Sequence, residues 1–207
     1  MPARLRFAVV LTTTILVAFL ALVVVLGEPD DGGGGGPGPT GFHGALRPPA
    51  ARAPDFRLTD QDGRPATMRA YRGRTTIVTF LYSTCEDACP LTAQQIRGAL
   101  DDLGSDVPVL AISVDPAGDT PHRVRRFLVE QRMAGRMRYL VGTRTELSPV
   151  WRAYGIRPQG DGFEHTASTV VVDGDGRQRL GYLTAQLTPE ALAADLRTLG
   201  AGAHAAR

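Results

Sequence analysis

The feature that most constrains the fold is the stretch of residues 75–90, TTIVTFLYSTCEDACP, in which an apolar run leads into a pair of cysteines. The β-branched and aromatic residues from Thr76 to Tyr82 predict a buried strand. Pro90 suits the first turn of a helix, where its missing N–H costs nothing. Cys85 and Cys89, which are the only two cysteines of the chain, are therefore expected at a strand-to-helix turn.

The position of the cysteines favours a chemical role over a structural one. A thiol at the start of a helix lies near unpaired N–H groups and the positive end of the helix dipole, which favour the thiolate. The thiolate is the form that attacks disulfides and binds soft metals. The alternatives are two inert buried thiols or a structural disulfide, because cysteines four residues apart are within bonding reach. A bridge that closes so short a loop stabilises a fold little compared with a long one.

The first 26 residues are typical of a membrane anchor. Arg4 and Arg6 precede an uncharged run from Phe7 to Leu26, whose length fits the roughly 20 residues that cross a bilayer as a helix. A cleaved signal peptide is the alternative, but it usually has a shorter apolar region and a small-residue cleavage site. We therefore expect a single-pass protein of the cell membrane. The arginines should stay in the cytoplasm, which places the rest of the chain on the extracytoplasmic side.

The composition of the remaining residues indicates a linker, one domain and a short tail. Residues 27–52 are rich in glycine and proline and have few side chains that could build a core, so we expect a linker. One domain is expected over residues 53–200, followed by a disordered tail at 201–207. Two cysteines are too few for a disulfide-built scaffold. The net charge of +2 gives no reason to propose nucleic acid as a partner.

Beyond the cysteine motif, strands and helices alternate. Strands are predicted at residues 107–114, 138–141 and 168–173, and capped helices are predicted to follow Thr120 and Thr188. This order implies a mixed central sheet that is covered by helices on both faces. In such sheets, functional sites gather at the carboxyl ends of the strands, where the first cysteine is expected.

The order of elements, with a dithiol at a strand-to-helix turn, resembles the thioredoxin fold. Five segments are more closely similar to the Sco/SenC family of membrane-anchored copper proteins, and they span most of the chain from Pro54 to about Gly176: PDFRLTDQDGRP, FLYSTCEDACP, SVDPAGDTP, LSPVWRAYGI and EHTASTVVVDGDGR. The resemblance implies a thioredoxin-like α/β fold in which Cys85, Cys89 and His165 bind copper as Cu(I) or Cu(II). It also implies that the protein serves the dinuclear copper site of cytochrome c oxidase subunit II, or another extracytoplasmic copper protein.

The chemistry of these three side chains agrees with what the resemblance implies. Two thiolates and one imidazole form a soft site suited to Cu(I). Three protein ligands leave a position open, which a protein that must pass its metal on would use, whereas structural zinc more often has four protein ligands. His165 lies just ahead of the predicted strand 168–173, a segment that faces the dithiol in a thioredoxin-like sheet.

The cysteine loop departs from the family pattern at one position. Glu86 follows the first cysteine, where the family commonly has proline, although Asp87 keeps the usual acid. Losing that proline is expected to make the loop looser. Two further acids, Asp115 and Asp119, are expected beyond a strand end near the site, and turn-forming roles explain them as well as functional ones.

Two functions from different classes follow from these residues. One is a copper metallochaperone without turnover chemistry. The other is a thiol–disulfide oxidoreductase that uses the same cysteines through a mixed disulfide and reduces the cysteines of a copper-protein partner. Thioredoxin-type oxidoreductases usually have two residues between the cysteines and a proline before the facing strand. This chain has three residues between them and His165-Thr166 at that place, which favours metal. In an oxidising compartment, a thiol reductant is a further expected partner.

Overall fold

The computed structural model describes residues 41–105, 107–158 and 168–205, with side chains as far as Gly200, together with Thr14 and Leu16. From residue 41 onward these residues belong to one unit of the chain, Pro37–Arg207. The predicted membrane-spanning run, apart from Thr14 and Leu16, lies outside the described residues, as does His165. Within the described ranges, no helix has both the length and the apolar character needed to cross a bilayer.

The described residues form one eight-stranded sheet with four α-helices. The strands are β1 (Ala45–Leu46), β2 (Arg57–Asp60), β3 (Pro65–Thr67), β4 (Thr76–Leu81), β5 (Val109–Ser113), β6 (Met137–Val141), β7 (Ser168–Val172) and β8 (Gln178–Leu183). The helices are α1 (Ala88–Leu103), α2 (Pro121–Glu130), α3 (Arg144–Tyr154) and α4 (Pro189–Ala205), and two short 3-10 helices span Met68–Tyr71 and Thr184–Gln186.

The sheet is mixed, as the alternation of strands and helices predicts. Its strand order is β1-β8-β7-β4-β5-β6-β2-β3. The central strands β4, β5 and β6 run parallel to one another, and the other pairings are antiparallel. Every residue of β4 is buried, which agrees with the apolar run that predicts this strand. The carboxyl end of β4 therefore lies near the centre of one end of the sheet, with other strands on both sides.

Helices cover both faces of the sheet. Apolar side chains of α1, α2 and α4 form one core cluster with one face, and those of α3 and the 3-10 helix Met68–Tyr71 form a second cluster with the other. Side chains along β4 divide between the two: Ile77 and Leu81 belong to the first cluster, and Val78 and Phe80 to the second. This division follows from the two-residue repeat of a strand.

The helix boundaries follow the capping signals in the sequence. The Thr120 side chain accepts a hydrogen bond from the backbone N–H of Arg123, and Pro121 opens α2. Thr143 and Glu146 form a capping box at the start of α3, and Gly155 ends that helix with a left-handed backbone, φ 73°. Such side-chain and glycine caps satisfy backbone groups that the helix itself leaves unpaired.

Two predicted boundaries differ from the structure. Strand β1 lies inside the predicted linker 27–52 and pairs with β8, so the last part of that segment belongs to the folded domain. The pairing is one of backbone groups, which need no apolar side chains and therefore leave little trace in composition. Helix α4 continues to Ala205, into the predicted tail 201–207.

Candidate functional site

The strand-to-helix turn after β4 brings the two cysteines together. The backbone N–H of Cys85 donates to the carbonyl oxygen of Tyr82 at 3.2 Å, which closes the turn. Helix α1 begins at Ala88, so Cys89 lies in its first turn. The backbone N–H of Cys89 donates to Cys85 Sγ at 3.3 Å. The Cys85 sulfur thus accepts one of the N–H groups that the start of a helix leaves unpaired, as its position in the sequence predicts.

Hydrogen bonds around Cys85 favour its thiolate. Partial burial raises the pKa of the Cys85 thiol, but the backbone N–H groups of Asp87 and Cys89, the Cys89 thiol and the Tyr82 side chain outweigh it, and the net pKa is lowered. The residue is only partly buried, unlike Cys89. A lowered pKa and partial exposure are the properties of a reactive cysteine.

The environment of Cys89 acts in the opposite direction. Burial raises the pKa of the Cys89 thiol, and the hydrogen bond to Cys85 and the charges of Cys85 and Asp119 raise it further. The side chain is 0% exposed. Both cysteines are free thiols, and the Cys89 thiol donates to the Cys85 sulfur. The pair therefore consists of a partly buried thiol whose pKa is lowered and a buried thiol whose pKa is raised.

Asp115 and Asp119, the two acids that follow β5, make different hydrogen bonds. Asp115 forms a local turn, in which its Oδ1 accepts from the backbone N–H of Gly118 at 3.0 Å. Asp119 instead reaches the cysteine loop, where its Oδ1 accepts from the backbone N–H of Ser83 at 2.6 Å. Sequence position alone does not distinguish these two carboxylates, because both follow the same strand.

Tyr82 is a functional neighbour that sequence analysis did not identify. Its backbone carbonyl holds the turn at Cys85, its side chain hydrogen-bonds the Cys85 sulfur, and its backbone also hydrogen-bonds the sulfur of Cys89. The only signal in the sequence is its place at the end of the apolar run. That position predicts that Tyr82 belongs to a strand, but it does not predict that the tyrosine side chain contacts the cysteines.

The described residues supply two of the three predicted copper ligands. The sulfurs of Cys85 and Cys89 are adjacent, and two thiols in contact fit a soft metal such as Cu(I). His165 lies outside the described residues, and within those residues no group of three or more histidine, cysteine, aspartate or glutamate side chains is arranged to hold a metal ion. Strand β7 begins at Ser168, whose carbonyl oxygen lies 3.4 Å from Thr79 Oγ1 of β4.

A mixed sheet of this order, with a dithiol at the carboxyl end of a central strand, defines a protein of the thioredoxin-like class. The chain belongs to the SCO1/SenC family, whose family model matches residues 44–201. That match starts one residue before β1, in agreement with the earlier domain boundary seen in the fold.

Two relatives at 33% identity support the same assignment, and a further solved structure shares the fold. Protein SenC of Rhodobacter capsulatus is 33% identical over 153 residues, which cover 67% of this chain and 66% of that protein. The structure of Bradyrhizobium japonicum ScoI with copper bound is similar with a TM-score of 0.62 at 33% identity, covering 72% of this chain and 99% of that one. BsSco, described as a member of the Sco family of cytochrome c oxidase assembly proteins and studied for a disulfide switch, shares the fold at a TM-score of 0.64 and 22% identity, covering 74% and 96% of the two chains.

Proposed function

We propose that this protein is an extracytoplasmic copper metallochaperone that assists assembly of the dinuclear copper site of cytochrome c oxidase. Cys85, Cys89 and His165 are the proposed copper ligands. The observation that carries the proposal is that both cysteines lie together after β4, with the Cys89 backbone N–H 3.3 Å from Cys85 Sγ, because neighbouring thiols are donors that suit Cu(I). The copper-bound relative at 33% identity supports it.

The course of β7 supports His165 as the third ligand. Ser168 begins β7, which runs antiparallel to β4 with Thr169 opposite Thr79. Strand β7 therefore starts toward the end of the sheet at which β4 ends and the cysteine loop begins. His165 precedes Ser168 by three residues, which span at most about 10 Å even when fully extended. This short separation in the chain supports the proposal that His165 is the third ligand.

Metal transfer would use the difference between the two thiols. The lowered pKa of the Cys85 thiol favours the form that binds an incoming Cu(I), whereas Cys89 must lose its proton when it binds, because metal ligands must be deprotonated. The buried thiol thereby couples metal binding to proton release. Since Cys85 is half-buried at the surface, a partner protein that offers its own soft ligands can reach the copper and take it over.

The same difference favours thiol–disulfide exchange as a second candidate function. The Cys85 thiolate would attack a disulfide of a partner protein, forming a mixed disulfide and releasing one partner thiolate that takes up a proton. Cys89 would then lose its proton and attack the Cys85 sulfur, which releases the second partner thiol and leaves a Cys85–Cys89 disulfide. The partner gains two electrons, and an external dithiol must supply two further electrons to reduce the Cys85–Cys89 disulfide again.

A copper titration of variants distinguishes these functions. Full-length protein in detergent is reduced, kept anaerobic and titrated with Cu(I) against a competing chelator. We expect the wild type to bind one Cu(I) and Cys85→Ser or Cys89→Ser to lose tight binding. His165→Ala should weaken binding by at least about tenfold, because even the loss of a group that only orients a metal ligand costs 10–100-fold. His165→Ala should still form a reducible Cys85–Cys89 disulfide.

His122→Ala is the matched control, because His122 is an exposed histidine near the start of α2 and should leave Cu(I) affinity unchanged. The oxidised wild type is a second control and should take up no stoichiometric copper, since a disulfide removes both thiolates. If His165→Ala binds Cu(I) as the wild type does while the dithiol still exchanges with disulfides, the oxidoreductase function is the better assignment.

A further inference from the structure

Asp119 is a buried carboxylate that contacts the cysteine loop and to which neither proposed function gives a role. It is 5% exposed. Its Oδ1 accepts from the backbone N–H of Ser83 at 2.6 Å. Its Oδ2 accepts from the hydroxyl of Ser113 at 2.6 Å and from that of Tyr139 at 3.0 Å. One oxygen therefore contacts the cysteine loop while the other is held by the sheet.

The groups that hold Oδ2 belong to rigid elements. Ser113 is the last residue of β5 and is 0% exposed, as is Tyr139 in β6. The carbonyl oxygen of Ser113 in turn accepts from the indole N–H of Trp151 at 2.9 Å. The backbone N–H of Asp119 donates to the carbonyl of Asp115 at 2.9 Å. The carboxylate is thus fixed by both its side chain and its backbone.

The hydrogen bond to Oδ1 fixes the start of the cysteine loop. Ser83 lies between the end of β4 and Cys85, and the next turn is closed by the bond from the Cys85 N–H to the Tyr82 carbonyl. From the other side, the Cys89 N–H of α1 contacts Cys85 Sγ. The Cys85 sulfur is consequently held between helix α1 and a loop that Asp119 attaches to β5 and β6.

We propose that Asp119 is a positioning residue for the Cys85–Cys89 pair, and that it fixes the loop so that the two sulfurs face each other for bond formation or for sharing a metal. The proposal rests on the dithiol function argued above. Burial raises the pKa of Asp119 against the effect of its hydrogen bonds, so the protein keeps an unfavourable buried acid at this place. A preformed geometry raises the effective concentration of one thiol for the other.

The test measures the dithiol without metal, so that its outcome does not depend on copper binding. Full-length protein is equilibrated with defined ratios of reduced and oxidised dithiothreitol, and free thiols are trapped with a maleimide and counted by mass. Asp119→Ala should shift the exchange equilibrium toward the dithiol by about tenfold, which is about 30 mV for a two-electron couple. Asp119→Asn should recover the equilibrium to within about threefold, because the amide oxygen can still accept from Ser83 while the two hydroxyls turn to accept from its NH₂.

Asp195 offers a matched control for general destabilisation. It is a second buried carboxylate, 1% exposed, and accepts from the backbone N–H groups of His43 and Gly44 and from the Tyr182 hydroxyl. These donors lie in the segment before β1 and in β8, and none belongs to the cysteine loop. Asp195→Ala should lower stability to denaturant while leaving the exchange equilibrium unchanged.

The outcomes separate positioning from the alternatives. An unchanged equilibrium in Asp119→Ala overturns the proposal. Equal shifts in the Ala and Asn variants also overturn it, because they would show that charge and not geometry matters. A shift of the same size in Asp195→Ala overturns it as well. Should Asp119→Ala fail to fold, the double variant Ser113→Ala/Tyr139→Phe removes both contacts of Oδ2 with the sheet. It should shift the exchange equilibrium toward the dithiol by about threefold or more, because losing a hydrogen bond changes an equilibrium by up to roughly tenfold. An unchanged equilibrium in this variant would contradict the proposal.

Discussion

At the scale of single residues, the main finding is that two cysteines four positions apart have opposite environments. Cys85 lies in the loop and accepts hydrogen bonds, which lower the pKa of its thiol despite partial burial. Cys89 points into the core from the first turn of α1, and burial raises the pKa of its thiol. In either proposed function, Cys85 would therefore be the sulfur that a partner or an incoming metal meets first, and Cys89 would react second.

This difference predicts an unequal pH dependence of alkylation. Reduced full-length protein is treated with iodoacetamide over a range of pH, and each site is quantified by tandem mass spectrometry of the peptide that contains both cysteines. Since only the thiolate reacts, the half-point for Cys85 should lie below the value of roughly 8.5 for an ordinary cysteine, and Cys89 should lag at every pH. In denaturant the two should react alike. Equal rates in the folded protein would contradict the assignment of roles.

At the scale of elements, helix α1, which carries Cys89, packs closely against helix α4. A Cβ atom added at Gly98 of α1 would lie 2.8 Å from Pro189 Cγ at the start of α4. Glycine in a helix interior normally destabilises it by roughly 0.5–1 kcal/mol relative to alanine. Its presence at this place is explained by the space that Pro189 occupies.

Gly98→Ala is therefore expected to destabilise the domain although it improves helix propensity. Overpacking of a buried contact costs roughly 1–3 kcal/mol, which exceeds the propensity gain of about 1 kcal/mol. Urea unfolding followed by circular dichroism measures the difference. Gly200→Ala is the control, because a Cβ at Gly200 of α4 would meet nothing within 4 Å, and this variant should be neutral or slightly stabilising. A stabilised Gly98→Ala would show that the helices separate without cost.

At the scale of the whole molecule, the proposed function requires the dithiol domain to act outside the cytoplasm and close to a membrane-bound oxidase. The sequence supports this arrangement through the run Phe7–Leu26 behind Arg4 and Arg6, followed by a glycine-rich segment. We propose that this segment links the dithiol domain to the membrane.

A retained anchor predicts how the protein fractionates. After carbonate extraction of membranes, the full-length protein should stay in the pellet, because an apolar helix of about 20 residues is held by the hydrocarbon core and not by charge. A peripheral membrane protein that carbonate releases serves as the control in the same preparation. Recovery of a soluble mature form that starts near Gly27 would show instead that the segment is a cleaved signal peptide.

The sequence by itself determined the central strands, several helix starts and the place of the dithiol. Buried strands, Thr and Pro caps and glycine helix ends depend on residues within a few positions of one another, so their signals are local. The mixed, doubly covered sheet follows from the order of these elements. Copper and its third ligand, His165, were predicted from the resemblance to the family. His165 lies outside the described residues, so its role as a ligand remains a prediction.

Only the tertiary structure decided how the two cysteines differ and which acid contacts them. The hydrogen bonds of Asp119 join it to Ser83, 36 positions away, and to Tyr139, 20 positions away. The pairing of β1 with β8 joins residues still more distant in the chain, Ala45 with Gly181. Such contacts join segments that are far apart in the chain, and so do the burial that raises a thiol pKa and the hydrogen bonds that lower it. No local pattern encodes them, because their energy depends on neighbours that only folding brings together.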